Sequence, residues 1–112
     1  MTDGEDLSKD HEQDLDDVLR MHERVFILFY ASWCPHSRKF LPIYDRYLKE
    51  RPHLFLRVKV DDQEELMDRF SVEHVPTVIF FENGQITKRC DGVAGVGIDE
   101  RRLLELLGSC RV

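Results

Sequence analysis

Apolar residues recur along this chain with two different periods, and the changes of period mark its elements. From about Glu12 to Glu23, Leu15, Val18, Leu19 and His22 fall at i, i+3, i+4 and i+7, the spacing of one helix face. Val25 to Ala31 is continuously apolar and too short for a surface helix, so it reads as a strand buried on both faces. Phe40, Leu41, Tyr44, Tyr47 and Leu48 restore a helical stripe, running from about Pro35 to about Glu50. Pro42 inside it is expected to kink the helix, and Arg51-Pro52 to end it. Leu54 to Val60 alternates, with Leu54, Leu56, Val58 and Val60 opposed to Phe55, Arg57 and Lys59, as in a strand. Asp61-Asp62 is expected to cap a short helix carrying Leu66, Met67 and Phe70. Val78 to Phe81 is a further apolar strand, and Asn83-Gly84 predicts a tight hairpin returning through Ile86 to about Asp91. Gly92, Gly95 and Gly97 punctuate a loop. Asp99 then caps a last helix whose inner face is Leu103, Leu106 and Leu107, flanked by Leu104.

The order is helix, strand, helix, strand, helix, strand, strand, helix. A helical crossover between the first two strands implies a parallel pair, whereas the last two form a hairpin. The expected fold class is α/β: a mixed four-stranded sheet with helices on both faces. Leu15, Phe26, Phe29, Phe40, Leu56, Phe80 and Leu103 are the expected core.

Composition narrows the function. A chain of 112 residues that is 42% apolar is expected to form one ordinary domain, here residues 11–112, behind an acidic stretch at 1–10 expected to fray. A net charge of −6 argues against nucleic acid or an anionic membrane as main partner. No apolar run approaches the roughly 18 residues of a membrane span. The polar start shows no secretory signal, which leads to a cytoplasmic expectation. Three cysteines without paired spacing, and dispersed histidines, argue against both a disulfide scaffold and a metal site. No cofactor is expected.

The candidate chemistry sits at Trp33-Cys34-Pro35-His36-Ser37, where the first strand meets the second helix. The first turn of a helix has unpaired N–H groups and a partial positive charge, which favours a thiolate there. Pro35 suits the first helical position, and a protonated His36 adds a cation beside the sulfur. The arrangement favours nucleophilic sulfur. In a C-x-x-C motif a second thiol three residues on resolves the mixed disulfide made by the first. Here that position is Ser37, expected on an exposed first turn, and a hydroxyl cannot form a disulfide.

Phe29-Tyr30-Ala31-Ser32-Trp33-Cys34, Pro42, Val75-Pro76-Thr77 and Phe81-Glu82-Asn83-Gly84, in this order and spacing, resemble the thioredoxin superfamily over roughly residues 12–108. Phe-Tyr-Ala and the histidine at position 36 resemble its protein disulfide isomerase branch. The resemblance implies a cis Val75–Pro76 bond beside Cys34. It also implies a peptide-binding surface of Trp33, Val75, Pro76 and Thr77, with Val75 offering its backbone to a substrate strand. Leu28 stands where such proteins resemble one another in a buried carboxylate, and Arg57 where that carboxylate has a lysine neighbour; Arg57 itself is expected to be solvated. Resolving thiol and proton-relay carboxylate are thus absent together.

The function expected is thiol–disulfide exchange in cell redox homeostasis, with Cys34 as nucleophile and His36, Ser37 and Pro35 completing the site. Protein or small-molecule disulfides would be held as mixed disulfides and released by glutathione or a thioredoxin-reductase-type system, by a monomeric protein. Ser37 is either natural or a replacement made to trap such complexes. The alternatives are a chaperone-like binding module without redox turnover and, more weakly, iron–sulfur binding of the monothiol glutaredoxin kind. Cys90 and Cys110 are expected to be packing residues away from the site.

Overall fold

The computed structural model describes residues 12–110; the acidic stretch at 1–10 and residue 11 lie outside them. The elements follow the expected order: α1 Glu12–Met21, β1 Arg24–Tyr30, α2 Pro35–Glu50, β2 Phe55–Lys59, α3 Glu64–Arg69, β3 Thr77–Glu82, β4 Gln85–Cys90 and α4 Glu100–Gly108. One mixed sheet runs β2-β1-β3-β4. β1 pairs parallel with β2, as the α2 crossover requires, and antiparallel with β3. The β3–β4 hairpin turns at Asn83 (φ 52°) and Gly84 (φ 81°), the left-handed pair that matches strand twist.

The period of two along the strands divides the core into two layers. Val25, Ile27, Phe29, Ala31, Val58, Ile79 and Phe81 face α1 and α3, meeting Leu15, Leu19, Leu66 and Phe70. Phe26, Leu28, Tyr30, Phe55, Val78 and Phe80 face α2 and α4, meeting Phe40, Tyr44, Leu48, Leu103 and Leu106. The continuous apolar run of β1 is thus two half-faces interleaved, each with its own helices. Phe26 is sandwiched between Phe55 at 5.0 Å and Phe80 at 4.5 Å between ring centroids. The fully buried Tyr44 places its hydroxyl 2.7 Å from the Leu56 carbonyl and 3.1 Å from that of Phe26. Desolvation by burial pushes that phenol well above its ordinary range, so it stays a neutral donor.

Several expectations are corrected. Phe55 is buried, because β2 is covered on both faces and alternation there separates two cores rather than core from solvent. Leu56, expected in the core, is only partly buried. Arg57 is not a solvated charge: one guanidinium nitrogen donates to both oxygens of Asp45, at 2.8 and 3.0 Å, and the group lies over the Tyr30 ring. By contrast α2 has the expected extent, Pro35–Glu50, with Pro42 inside it on the exposed side. Neither Asp61 nor Asp62 caps α3, whose N-cap is Gln63. Asp62 takes a left-handed φ of 59°, and Asp61 turns back toward the β1–α2 loop.

Candidate active site

β1 ends at Tyr30, and the chain turns through Ala31-Ser32-Trp33 into α2. Cys34 is the N-cap, extended at φ −89° and ψ 122°, with Pro35 at the first helical position. Its carbonyl accepts from the Arg38 N–H at 3.0 Å, and its own N–H donates to the Ala31 carbonyl at 3.2 Å. No acidic residue lies in the first turn of α2. The sulfur therefore sits at the positive end of a sixteen-residue helix with nothing in that turn to oppose an anion.

Cys34 is less open than its position suggested. Only 7% exposed, it belongs to the α1/α3 core layer, and its Sγ lies 3.7 Å from the Val75 carbonyl, a weak thiol contact. The Val75–Pro76 bond is cis, as the resemblance implied. Cys34 and Val75, the residue before the cis-proline, both line a groove of about 550 Å³, with Trp33, His36, Met67, Val93 and Ala94 also among its walls; Pro76 itself is not in the lining. Trp33 is 67% exposed, so it is a surface contact rather than a core cover.

Ser37 is fully buried, against the expected exposed turn. Its Oγ accepts from the Ala31 N–H at 3.2 Å. That N–H lies one residue past the end of β1, where no strand partner is available, and Ala31 is itself buried. The hydroxyl thus satisfies a donor that would otherwise be orphaned. Position 37 braces the loop that carries Cys34.

Thr77 is also fully buried; its hydroxyl donates to the His74 carbonyl at 2.6 Å and accepts from the Gly92 N–H at 3.3 Å. It ties the proline turn to the loop after β4 and does not line the groove. Pro76 is buried and Pro35 exposed. His36 is half-buried and lines the groove together with Cys34.

Three supports escaped the sequence reading. A Cβ on Gly92 would lie 2.3 Å from the Pro76 carbonyl oxygen, so only glycine lets that loop close on the proline. A Cβ on Gly97, at φ 78°, would lie 2.9 Å from the His36 Cβ. Asp61 accepts from the Ser32 N–H at 2.9 Å and from the Ser32 hydroxyl, fastening the active-site loop to the end of β2. Burial alone would raise its carboxyl, but the two Ser32 bonds and the Lys59 charge outweigh that and hold it below its ordinary value. The glycine spacing and the paired aspartates were visible, but nothing local named their partners.

The family model for thioredoxin matches residues 6–100. The chain belongs to the thioredoxin family. It is 30% identical over 95 residues to a thioredoxin of Mycoplasmoides gallisepticum, spanning 84% of this chain and 91% of that one. It is 31% identical over 99 residues to protein disulfide-isomerase 1 of Caenorhabditis elegans, where the match spans 84% of this chain but 20% of the longer protein. A Plasmodium falciparum thioredoxin superposes with a TM-score of 0.76 over 89% of this chain and 94% of that one; at 22% identity the likeness is one of fold. Within this thioredoxin fold, Cys90 packs in the α2/α4 layer and Cys110 against it, on the opposite face from the layer that holds Cys34. Burial pushes both thiols above their ordinary range.

Proposed function

We propose that the protein is a thioredoxin-family thiol–disulfide oxidoreductase that works through Cys34 alone. The observation that carries this reading is a single sulfur at the N-cap of α2, beside a cis-proline turn in an open groove, with the place of a resolving thiol taken by a buried, bonded hydroxyl. The Cys34 thiolate attacks one sulfur of a substrate disulfide. A Cys34–substrate disulfide forms as the old bond breaks, and the second substrate sulfur leaves as a thiolate and takes up a proton. An external thiol, from glutathione or a partner protein, then attacks the mixed disulfide. Cys34 is released as its thiolate, and the electron pair for the exchange comes from that thiol. Trp33 and the Val75 backbone hold the substrate, and the Val75 N–H makes no hydrogen bond to another described residue. Pro35 starts the helix, and His36 faces the groove to assist the anion.

The reading includes a reducing, cytoplasmic setting, which suits three free cysteines, and a monomer that turns over slowly without an added thiol. The test is mass spectrometry of the protein under non-reducing conditions after exposure to a protein disulfide. Adducts confined to Cys34, lost in Cys34→Ala and released by glutathione, support the proposal; adducts on Cys90 or Cys110 that persist in Cys34→Ala sink it. The exposed apolar residues Trp33, Val93 and Val96 also favour a client-holding role. Retention of reduced, cysteine-free peptides by Cys34→Ala separates that role from exchange.

A further inference from the structure

The groove at Cys34 has a charge as well as a shape. Asp62, Glu64 and Glu73 line it, all exposed, and none enters an ion pair among the described residues. No lysine or arginine lines it; the cations in prospect are His36 and His74. Arg38 and Lys39, in the first part of α2, are exposed but stand outside the lining. The apolar contacts of this groove, Trp33, Met67, Val75 and Val93, accept any extended chain and so do not select among substrates. The carboxylates are the charged side chains of its wall.

We infer that the occupant of this groove is a polypeptide segment with lysine or arginine flanking its disulfide cysteine. The inference rests on the exchange reading above and names its substrate class. Three unpaired carboxylates of one sign beside low-dielectric walls raise the local concentration of a cationic chain and repel an anionic one. The protein's net charge of −6 adds to this at long range. The covalent step is unchanged: the Cys34 thiolate displaces the other thiol of the substrate disulfide, which leaves as a thiolate and is protonated.

The test uses three peptides of equal length, each with one central cysteine held as a mixed disulfide with 2-mercaptoethanol. The flanking residues are lysine, serine or glutamate. Transfer of the peptide to Cys34 is followed by mass spectrometry at one fixed pH, at low and high salt. At low salt the lysine peptide should react on the order of tenfold faster than the glutamate peptide. The gap should close as added salt shortens the screening length to about 3 Å near 1 M. In the combined variant Asp62→Asn, Glu64→Gln, Glu73→Gln the lysine-to-glutamate ratio should fall toward one. Asparagine suits the left-handed backbone at position 62, and a circular dichroism melt checks the fold. Glu73→Gln alone, in the loop before β3, should lower the ratio partway. Because the ratio is taken within each protein, a general change in sulfur reactivity cancels. Equal rates for all three peptides would overturn the inference and leave exchange standing, as would an undiminished ratio in the folded variant. If not even the serine peptide reaches Cys34, exchange itself fails and the substrate class falls with it.

Discussion

Replacing Ser37 by cysteine tests two claims at one atom. The first is kinetic. With one sulfur at the site, the lifetime of a Cys34 adduct depends on outside thiols. A thiol three residues along would compete with an effective molarity that can reach ~10⁵ M in well-oriented intramolecular reactions. The Ser37 side chain, however, is fully buried and accepts from the Ala31 N–H, so its place is not that of a free resolving group. Sulfur is a weak acceptor, and the Ala31 donor would lose most of its bond, which costs about 0.5–1.5 kcal/mol, more if it is left wholly unpaired. Burial also resists ionisation of the new thiol. Ser37→Cys should therefore restore reductant-driven turnover well short of the full intramolecular limit, while the reduced variant melts roughly 4 °C lower. Turnover is read with a dithiol recycling system, adduct lifetime by non-reducing mass spectrometry, and stability by thermal melt of the reduced protein. An unchanged melt would refute the bracing role of Ser37. Catalytic turnover by the unmodified protein without added thiol would refute the single-sulfur account, because Cys90 and Cys110 lie on the opposite sheet face.

Three further outcomes are expected. Gly92→Ala places a Cβ against the Pro76 carbonyl and should cost about 1–3 kcal/mol in denaturant unfolding, with slower alkylation or exchange at Cys34; an unperturbed variant would show that the loop yields freely. Asp61, held below its ordinary value near 3.8, stabilises the folded state fully above that value and loses its contribution as pH falls through its lower folded value. The melting-temperature advantage of the unmodified protein over Asp61→Asn should accordingly shrink on acidification below about pH 4, and an advantage that grew instead would reverse the argument. Leu28→Asp, which supplies a base at the position of the family's carboxylate, puts that group in a fully buried apolar layer among Phe26, Tyr30 and Phe40. A loss of about 3 kcal/mol or more is expected from equilibrium unfolding, so it should not rescue turnover in a usable protein.

Much of the fold was legible because local pattern and tertiary structure agree. The four strands, the Asn83-Gly84 turn, the Asp99 cap and the inner face of α4 each follow from spacing or backbone preference within a few residues. So does the place of Cys34, since a strand running into Pro35 puts that sulfur at a helix start whatever surrounds it. What the chain could not disclose is which distant group each polar side chain would meet. Asp61 has the chemistry of a cap, yet the nearby Ser32 loop takes its oxygens, and Gln63 is left to begin α3. Ser37 reads as a thiol's substitute until the end of β1 leaves Ala31 with an unpaired N–H beside it. Phe55 and Arg57 read as one face of a half-buried strand, but α2 and Asp45 cover that face too. Gly92 shows its need for glycine only when Pro76 is brought against it. Hydrophobic periodicity and backbone propensity act over a few residues and so are written in the order of the chain. Hydrogen-bond satisfaction in a buried layer is a contest among whatever groups the fold brings within about 3 Å, and only the assembled tertiary structure decides it.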